Sequence, residues 1–312
     1  MPDFLKPLSW SSTWIKRHRA HPRTVCALLS CSGPRTLWQR LRRRRGTFLQ
    51  DAFYCGPRCL ETALMGQISR LHALTPAAQP PNRIPLGLLM VARGKLTHLE
   101  VQAALEAQRR ARYGKIGEWF EKLGFASEQD VTTALALQWG CPVVSSFGPS
   151  LVDSPGRIPL RILESFQMLP FNYAASTNTL SLAFGERVDH GALYAIEKIL
   201  DCRTQPCVAG RKTIARQLEF MRQMNHGGDV EFLSRDLNEM SRITSSYVTR
   251  LSPEEVRLSR VGRFIWLRLK ARSAATNLLF CLQAGAATRP GANSLGASAS
   301  SRGGWSPSSS RG

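Results

Sequence analysis

The sequence predicts an α+β protein: a small helical bundle made from a tandem helix-pair repeat, packed beside a small α/β sandwich, with disordered termini. Three observations predict it. A set of nine residues recurs thirty positions further on without a gap, strand-like and helix-like runs alternate after the repeat, and both ends lack sustained hydrophobic periodicity.

The chain begins with a basic arm, residues 1–46, in which Trp10, Trp14 and Trp38 stand among Pro, Ser and Arg and which ends in Arg42-Arg43-Arg44-Arg45. Its charge opposes collapse, and its apolar residues keep no period. The four arginines form either a phosphate-binding patch or, more simply, a solvated tail. Residues 47–82 read as a helix with Leu60, Leu64, Ile68 and Leu71 on one side, packed on the first repeat, followed by a Pro-rich linker.

The repeat occupies residues 83–140. Leu86, Gly87, Met90, Gly94, Thr97, Glu100, Val101, Leu105 and Gln108 return as Ile116, Gly117, Phe120, Gly124, Ser127, Asp130, Val131, Leu135 and Gln138. Each copy predicts a short helix, a glycine stop and a longer helix. Gly94 and Gly124 stand where a left-handed residue ends the first helix. Thr97-His98-Leu99-Glu100 and Ser127-Glu128-Gln129-Asp130 match the capping pattern that opens the second.

Residues 141–224 alternate. Cys141-Pro142-Val143-Val144 predicts a short strand and residues 145–157 a loop. Residues 158–167 predict a helix, and 168–173 with 179–184 a hairpin. Asp189 is placed to cap a helix through Leu200, residues 204–208 predict a strand and 211–224 a last helix. In residues 225–281, a linker precedes a helix over 237–251 and two strands at 255–258 and 264–269. From 282 to 312 the Gly/Ala/Ser-rich composition predicts a disordered tail.

The net charge of +20 divides as +11, +2 and +7 over residues 1–83, 84–220 and 221–312. Basic flanks on a nearly neutral centre suit nucleic acid, anionic lipid or an acidic partner. No apolar run is long enough to span a bilayer and no secretory leader is legible, so a cytoplasmic protein is expected. The eight cysteines would then stay reduced. Cys55 and Cys59 are close in sequence, yet no second pair at ligand spacing follows them, so no metal site is expected; Cys202 and Cys207 read as packing residues. The Gly-Lys pairs at 94–95 and 114–115 lack the glycines and the hydroxyl residue of a phosphate-binding loop, and no hydrolase or metalloprotease signature is present. The expectation is a protein that is not an enzyme and carries no cofactor.

The doubled spacing, Leu-Gly-x-x-apolar-x-x-x-Gly and then Val, Leu and Gln, resembles the tandem motif of the N-terminal domain of type II secretion and type IV pilus assembly ATPases, the GspE/MshE N-terminal domain, over residues 83–220. The order of a helical part and an α/β part is similar too, and residues 225–281 weakly resemble the start of the second ATPase domain. The chain is read as a stand-alone relative without the ATPase core. The resemblance implies a regulatory or adaptor role, docking on an ATPase or inner-membrane platform protein of a secretion or pilus system, and cyclic di-GMP as a candidate ligand.

It assigns that ligand to Leu86, Gly87, Met90, Gly94 and Gln108 in the first copy, and to Lys115, Ile116, Gly117, Phe120, Gly124 and Gln138 in the second. Gly87 and Gly117 would let the ligand approach the backbone. Where binding members begin each motif with Arg, this sequence has Pro85 and Lys115; Arg83 or Arg112 stands near enough to substitute. The family's acidic turn is present as residues 183–189, with Glu186 and Arg187 in altered positions. The competing reading is a nucleic-acid-associated or purely protein-docking scaffold.

Overall fold

The structure is a computed structural model and describes residues 25–31, 46–74, 83–147, 157–224, 229–234, 236–272 and 274–282. The expectations placed on Arg42–Arg45, on most of the basic arm, on the linkers at 75–82 and 225–228, on residues 148–156 and on the tail from 283 lie outside these residues. In chain order the elements are β1 (Thr47–Leu49), β2 (Ala52–Tyr54), α1 (Pro57–Ala73), α2 (Leu86–Ala92), α3 (His98–Ala111), α4 (Ile116–Lys122), α5 (Glu128–Trp139), β3 (Val143–Val144), α6 (Leu160–Phe166), β4 (Met168–Ala174), β5 (Thr179–Phe184), α7 (His190–Leu200), β6 (Arg203–Ala209), α8 (Arg211–Met224), β7 (Asp229–Ser234), α9 (Leu237–Leu251), β8 (Glu255–Val261), β9 (Phe264–Lys270) and β10 (Ala275–Leu282). The protein is α+β.

The repeat folds as its sequence requires. Thr97 Oγ1 accepts from the Glu100 N–H at 3.3 Å while the Thr97 N–H donates to Glu100 Oε2 at 2.7 Å; Ser127 and Asp130 reproduce both bonds at 3.2 Å. Each box satisfies two orphan donors at the start of a long helix. Gly94 (φ 66°) and Gly124 (φ 73°) end the short helices in the left-handed region. Leu86, Met90, Leu96, Ala104, Phe120, Val131 and Ala134 form the bundle core.

The sandwich carries a four-stranded sheet in the order β3-β6-β5-β4. β4 and β5 form an antiparallel hairpin, whereas β5 and β6 run parallel, which requires a crossover; α7 supplies it, opened by Asp189 Oδ1 accepting from the Ala192 N–H at 2.9 Å. Cys202 and Cys207 are buried here, as packing residues are.

The flanking segments depart from the sequence reading. Residues 47–54 are not helical but form a hairpin, and the helix after it packs on α9 rather than on the repeat. β1 then pairs in parallel with β8, so the segments around 50 and 260 share one six-stranded sheet, β2-β1-β8-β9-β10-β7. β7 and β10 join it as well, beyond the two strands expected. Val256, Leu258, Ile265, Leu267 and Phe280 face a core with α1 and α9, while Val261, Phe264, Trp266 and Leu279 face the sandwich core. With both faces covered, β9 is continuously apolar over residues 264–267 and β10 over 278–282, losing the alternation that marks a half-exposed strand, while β8 keeps Arg257, Ser259 and Arg260 among its apolar residues. Arg260 fixes the seam by donating to the carbonyls of Leu71 (3.0 Å), His72 (2.9 Å) and Leu74 at the end of α1, where the helix dipole favours a cation. Among the described residues, no helix is long and apolar enough to cross a membrane.

Candidate functional site

The two copies of the repeat clasp each other through the residues that the motif repeats. The Gln108 carboxamide donates to the Gly114 carbonyl at 2.9 Å, and Gln138 donates to the Ile84 carbonyl at 2.6 Å. Each glutamine thus leaves the end of one long helix and holds the residue just before the N-cap of the other copy's short helix. Gly87 and Gly117 lie where those short helices meet the first turns of the long ones. A Cβ on Gly87 would stand 3.0 Å from Val101 Cγ1, and one on Gly117 would stand 2.9 Å from Val131 Cγ1. Contacts this short leave room only for hydrogen.

This geometry gives most of these residues a packing role. Gly87 and Gly117 are buried, and the space a side chain would take at each is filled by a valine. Leu86, Met90 and Phe120 are core, with Met90 and Phe120 fully buried, and Ile116 is half-buried against the same cluster. Gly94 and Gly124 are exposed turn residues. Of the side chains carried over, Lys115 is exposed and Gln108 and Gln138 are half-buried, with both amide nitrogens engaged.

Lys115 is exposed but reaches towards the sandwich. Its ammonium pairs with Glu186 in the acidic turn, and Glu118 pairs with Arg211, which also lies 3.9 Å from Glu186. Lys212 continues the row, 3.6 Å from Glu121 and 3.7 Å from Glu128, and its backbone N–H donates to Glu128 Oε1 at 2.8 Å. The second copy is therefore bolted to the β5–α7 turn and the start of α8. The signal was legible at the positions the motif does not repeat: Lys115, Glu118, Glu121 and Glu128 occupy the places of Pro85, Leu88, Val91 and His98.

Two further features surround the bundle. Arg83 is exposed, lies over Trp139 with its guanidinium carbon 3.3 Å from the ring centroid, and donates to the Gln138 carbonyl at 3.2 Å. Between the end of α2 and α5 opens a cavity of 330 Å³ lined by Met90, Arg93, Lys95, Asp130, Thr133 and Leu137 among others. Lys95 reaches Asp130 there at 2.8 Å. That hydrogen bond and the Ser127 hydroxyl bring the Asp130 carboxyl down to about 2.

Comparison with solved structures returns likenesses to part of the chain. One is MshE with cdg (cyclic di-GMP), 25% identical, with a TM-score of 0.38, covering 44% of this chain and 99% of that one. The N-terminal domain of XpsE appears in two crystal forms, at 22% and 19% identity and TM-scores of 0.33 and 0.27; these cover 43% and 47% of this chain and 91% and 98% of those. The chain is similar to MshE and to the XpsE N-terminal domain. No protein-family model and no curated protein matches the chain.

A second group of side chains lies outside the repeat and the sandwich. The partner pair for Cys55 and Cys59 does not follow them; it precedes them, as Cys26 and Cys31. The four sulfur atoms lie within 4.8 Å of one another. Burial and the three neighbouring thiols push Cys59 up to about 12. Burial acts the same way on Cys26, but the backbone N–H groups of Cys55 and Leu28 and the adjacent thiols outweigh it and bring that thiol down to about 7.

Proposed function

We propose that this chain is a non-catalytic regulatory or adaptor module of the secretion and pilus ATPase N-terminal type. The second copy of its repeat is fixed to its own sandwich, and the first copy receives a secretion or pilus component. The observation that carries this reading is the inequality of the copies. Where the second copy uses Glu118 in the ion-paired row, the first presents Leu88, 51% exposed, and Leu99 beyond it is 77% exposed. Exposed leucines on a helix pair whose twin is already docked suit a protein partner. The sequence also lacks a phosphate-binding loop for turnover.

The test is binding of the full chain to the purified cytoplasmic part of the platform protein, and separately to the ATPase, encoded by the same genome. Affinity that falls more than about tenfold in Leu88→Glu or Leu99→Glu supports the reading, since a charge buried at an interface is costly. Equal affinity in all three proteins overturns it. Retardation of DNA with a steep salt dependence, in the absence of protein binding, favours the nucleic-acid alternative.

Cyclic di-GMP as the regulating ligand has its own support. Arg83 presents a planar cation beside Gln138, at the start of the first copy, where the motif position itself is Pro85. One guanidinium face rests on Trp139, and such a platform suits a guanine base. Calorimetry on the full chain should then show saturable binding that Arg83→Ala removes. Absence of heat with the intact chain would leave docking as the whole function.

A further inference from the structure

We infer that Cys26, Cys31, Cys55 and Cys59 bind one zinc ion as a closed tetrathiolate site that fastens residues 25–31 to the β1–β2 hairpin and the start of α1. The inference is independent of the docking role proposed above.

The distances fit that ion. Cys31 Sγ lies 3.5 Å from Cys55 Sγ and 3.6 Å from Cys59 Sγ, and Cys55 Sγ lies 3.9 Å from Cys59 Sγ. With Zn–S bonds of about 2.3 Å, the edge of a regular sulfur tetrahedron is about 3.8 Å. Two disulfides would instead draw the sulfurs into pairs about 2.05 Å apart. The spacing agrees: Cys26-x4-Cys31 and Cys55-x3-Cys59 are two short chelating loops, one from each side of the arginine run. The Leu28 and Cys55 N–H groups that donate to Cys26 are the contacts that stabilise a ligating thiolate and orient it. Cys59 sits in the first turn of α1, where the helix dipole favours negative sulfur.

The site also answers a structural need. Val25 is 74% exposed and Leu29 fully so, and Leu28 is only half-buried against the core under α1, so the strap of residues 25–31 buries little apolar surface of its own. One backbone bond, from the Ala27 N–H to the Phe53 carbonyl at 2.8 Å, ties it to β2, the outermost strand of the six-stranded sheet. A metal cross-link supplies the remaining constraint and covers that edge. With all four positions filled by protein, the ion has a structural role. Four thiols lose their protons to solvent on binding, and the resulting charge of −2 is set in a region, residues 1–83, that carries +11.

The experiment uses the full chain, purified under reducing conditions with a tag that does not bind metal. Elemental analysis should give one zinc per chain, released stoichiometrically when a mercurial modifies the thiols. Cobalt(II) added to the stripped protein should give the visible bands of a tetrahedral cobalt thiolate, lost on competition with zinc. Cys26→Ser should weaken metal binding more than about tenfold, and Cys202→Ser should leave it unchanged. Should Cys26→Ser not fold, elemental analysis and the cobalt spectrum of the unaltered chain decide the matter. A folded chain with four free thiols and no metal, a disulfide within the group, or iron in place of zinc would each overturn the assignment.

Discussion

The first and second copies of the repeat share their core and their caps and differ in the charges they present around them. Both have the buried glycine against a valine, the reciprocal glutamine bond and the capping box. Only the second carries the charged row that meets Glu186, Arg211 and Lys212. A duplicated motif therefore specifies a fold unit. The residues between its fixed positions decide what that unit touches.

The comparison is broken most severely by attacking what the copies share. Phe120→Ala should destabilise the protein by about 3–5 kcal/mol and Met90→Ala by about 2–5 kcal/mol, read from urea unfolding, because both side chains are fully buried in one small core. Should either cost less than about 1 kcal/mol, that copy does not build the bundle. Next come the glycines. Gly117→Ala and Gly87→Ala should each cost about 1–3 kcal/mol, since the atom in the way is a methyl on a stiff β-branched side chain. Val131→Ala should rescue the first and leave the second unrepaired.

The difference between the copies is sharpened by smaller effects. Arg211→Ala should cost about 1 kcal/mol or less at low salt and less again at high salt, as partly exposed ion pairs do. Leu88→Ala, at the position equivalent to Glu118, should change stability by less than about 0.5 kcal/mol at either salt concentration. The smallest contrast is in acid. The Asp130 carboxyl is held near 2 by Lys95 and Ser127, below the unfolded value of about 3.9. Its contribution is complete above about pH 4 and is lost as the pH falls through about 2. Glu100 is lowered by the Thr97 backbone N–H and hydroxyl and has no lysine partner of this kind. Asp130→Asn should therefore lower the melting temperature at pH 5 more than Glu100→Gln does; the reverse order would remove the distinction.

The repeat, both capping boxes and the sandwich were legible because their signals are local: a glycine stop, a hydroxyl three residues before a carboxylate, a hairpin around Asn178. The six-stranded sheet was not. Its β1–β8 pairing joins Phe48 to Glu255, and a three-residue strand carries too little pattern to announce a partner so far along the chain. β10 was missed because a short apolar run beside a low-complexity tail does not declare its period. At the site, the motif positions were found, but their burial was not: an apolar residue that lines a ligand and one that fills a core look the same in sequence. The cysteine group escaped because its first pair lies upstream, across the arginine run.

The parallel pairing of β1 with β8 means that the opening and closing stretches of the folded chain are halves of one clasp. Trimming away residues 1–82 would strip β8 of β1 and remove α1 from over the apolar side chains of β8 and β9. Such a fragment would offer a bare strand edge to other copies of itself. Deletions in residues 47–73 are thus felt at residues 255–270, and dissection is safer by point substitution than by scissors.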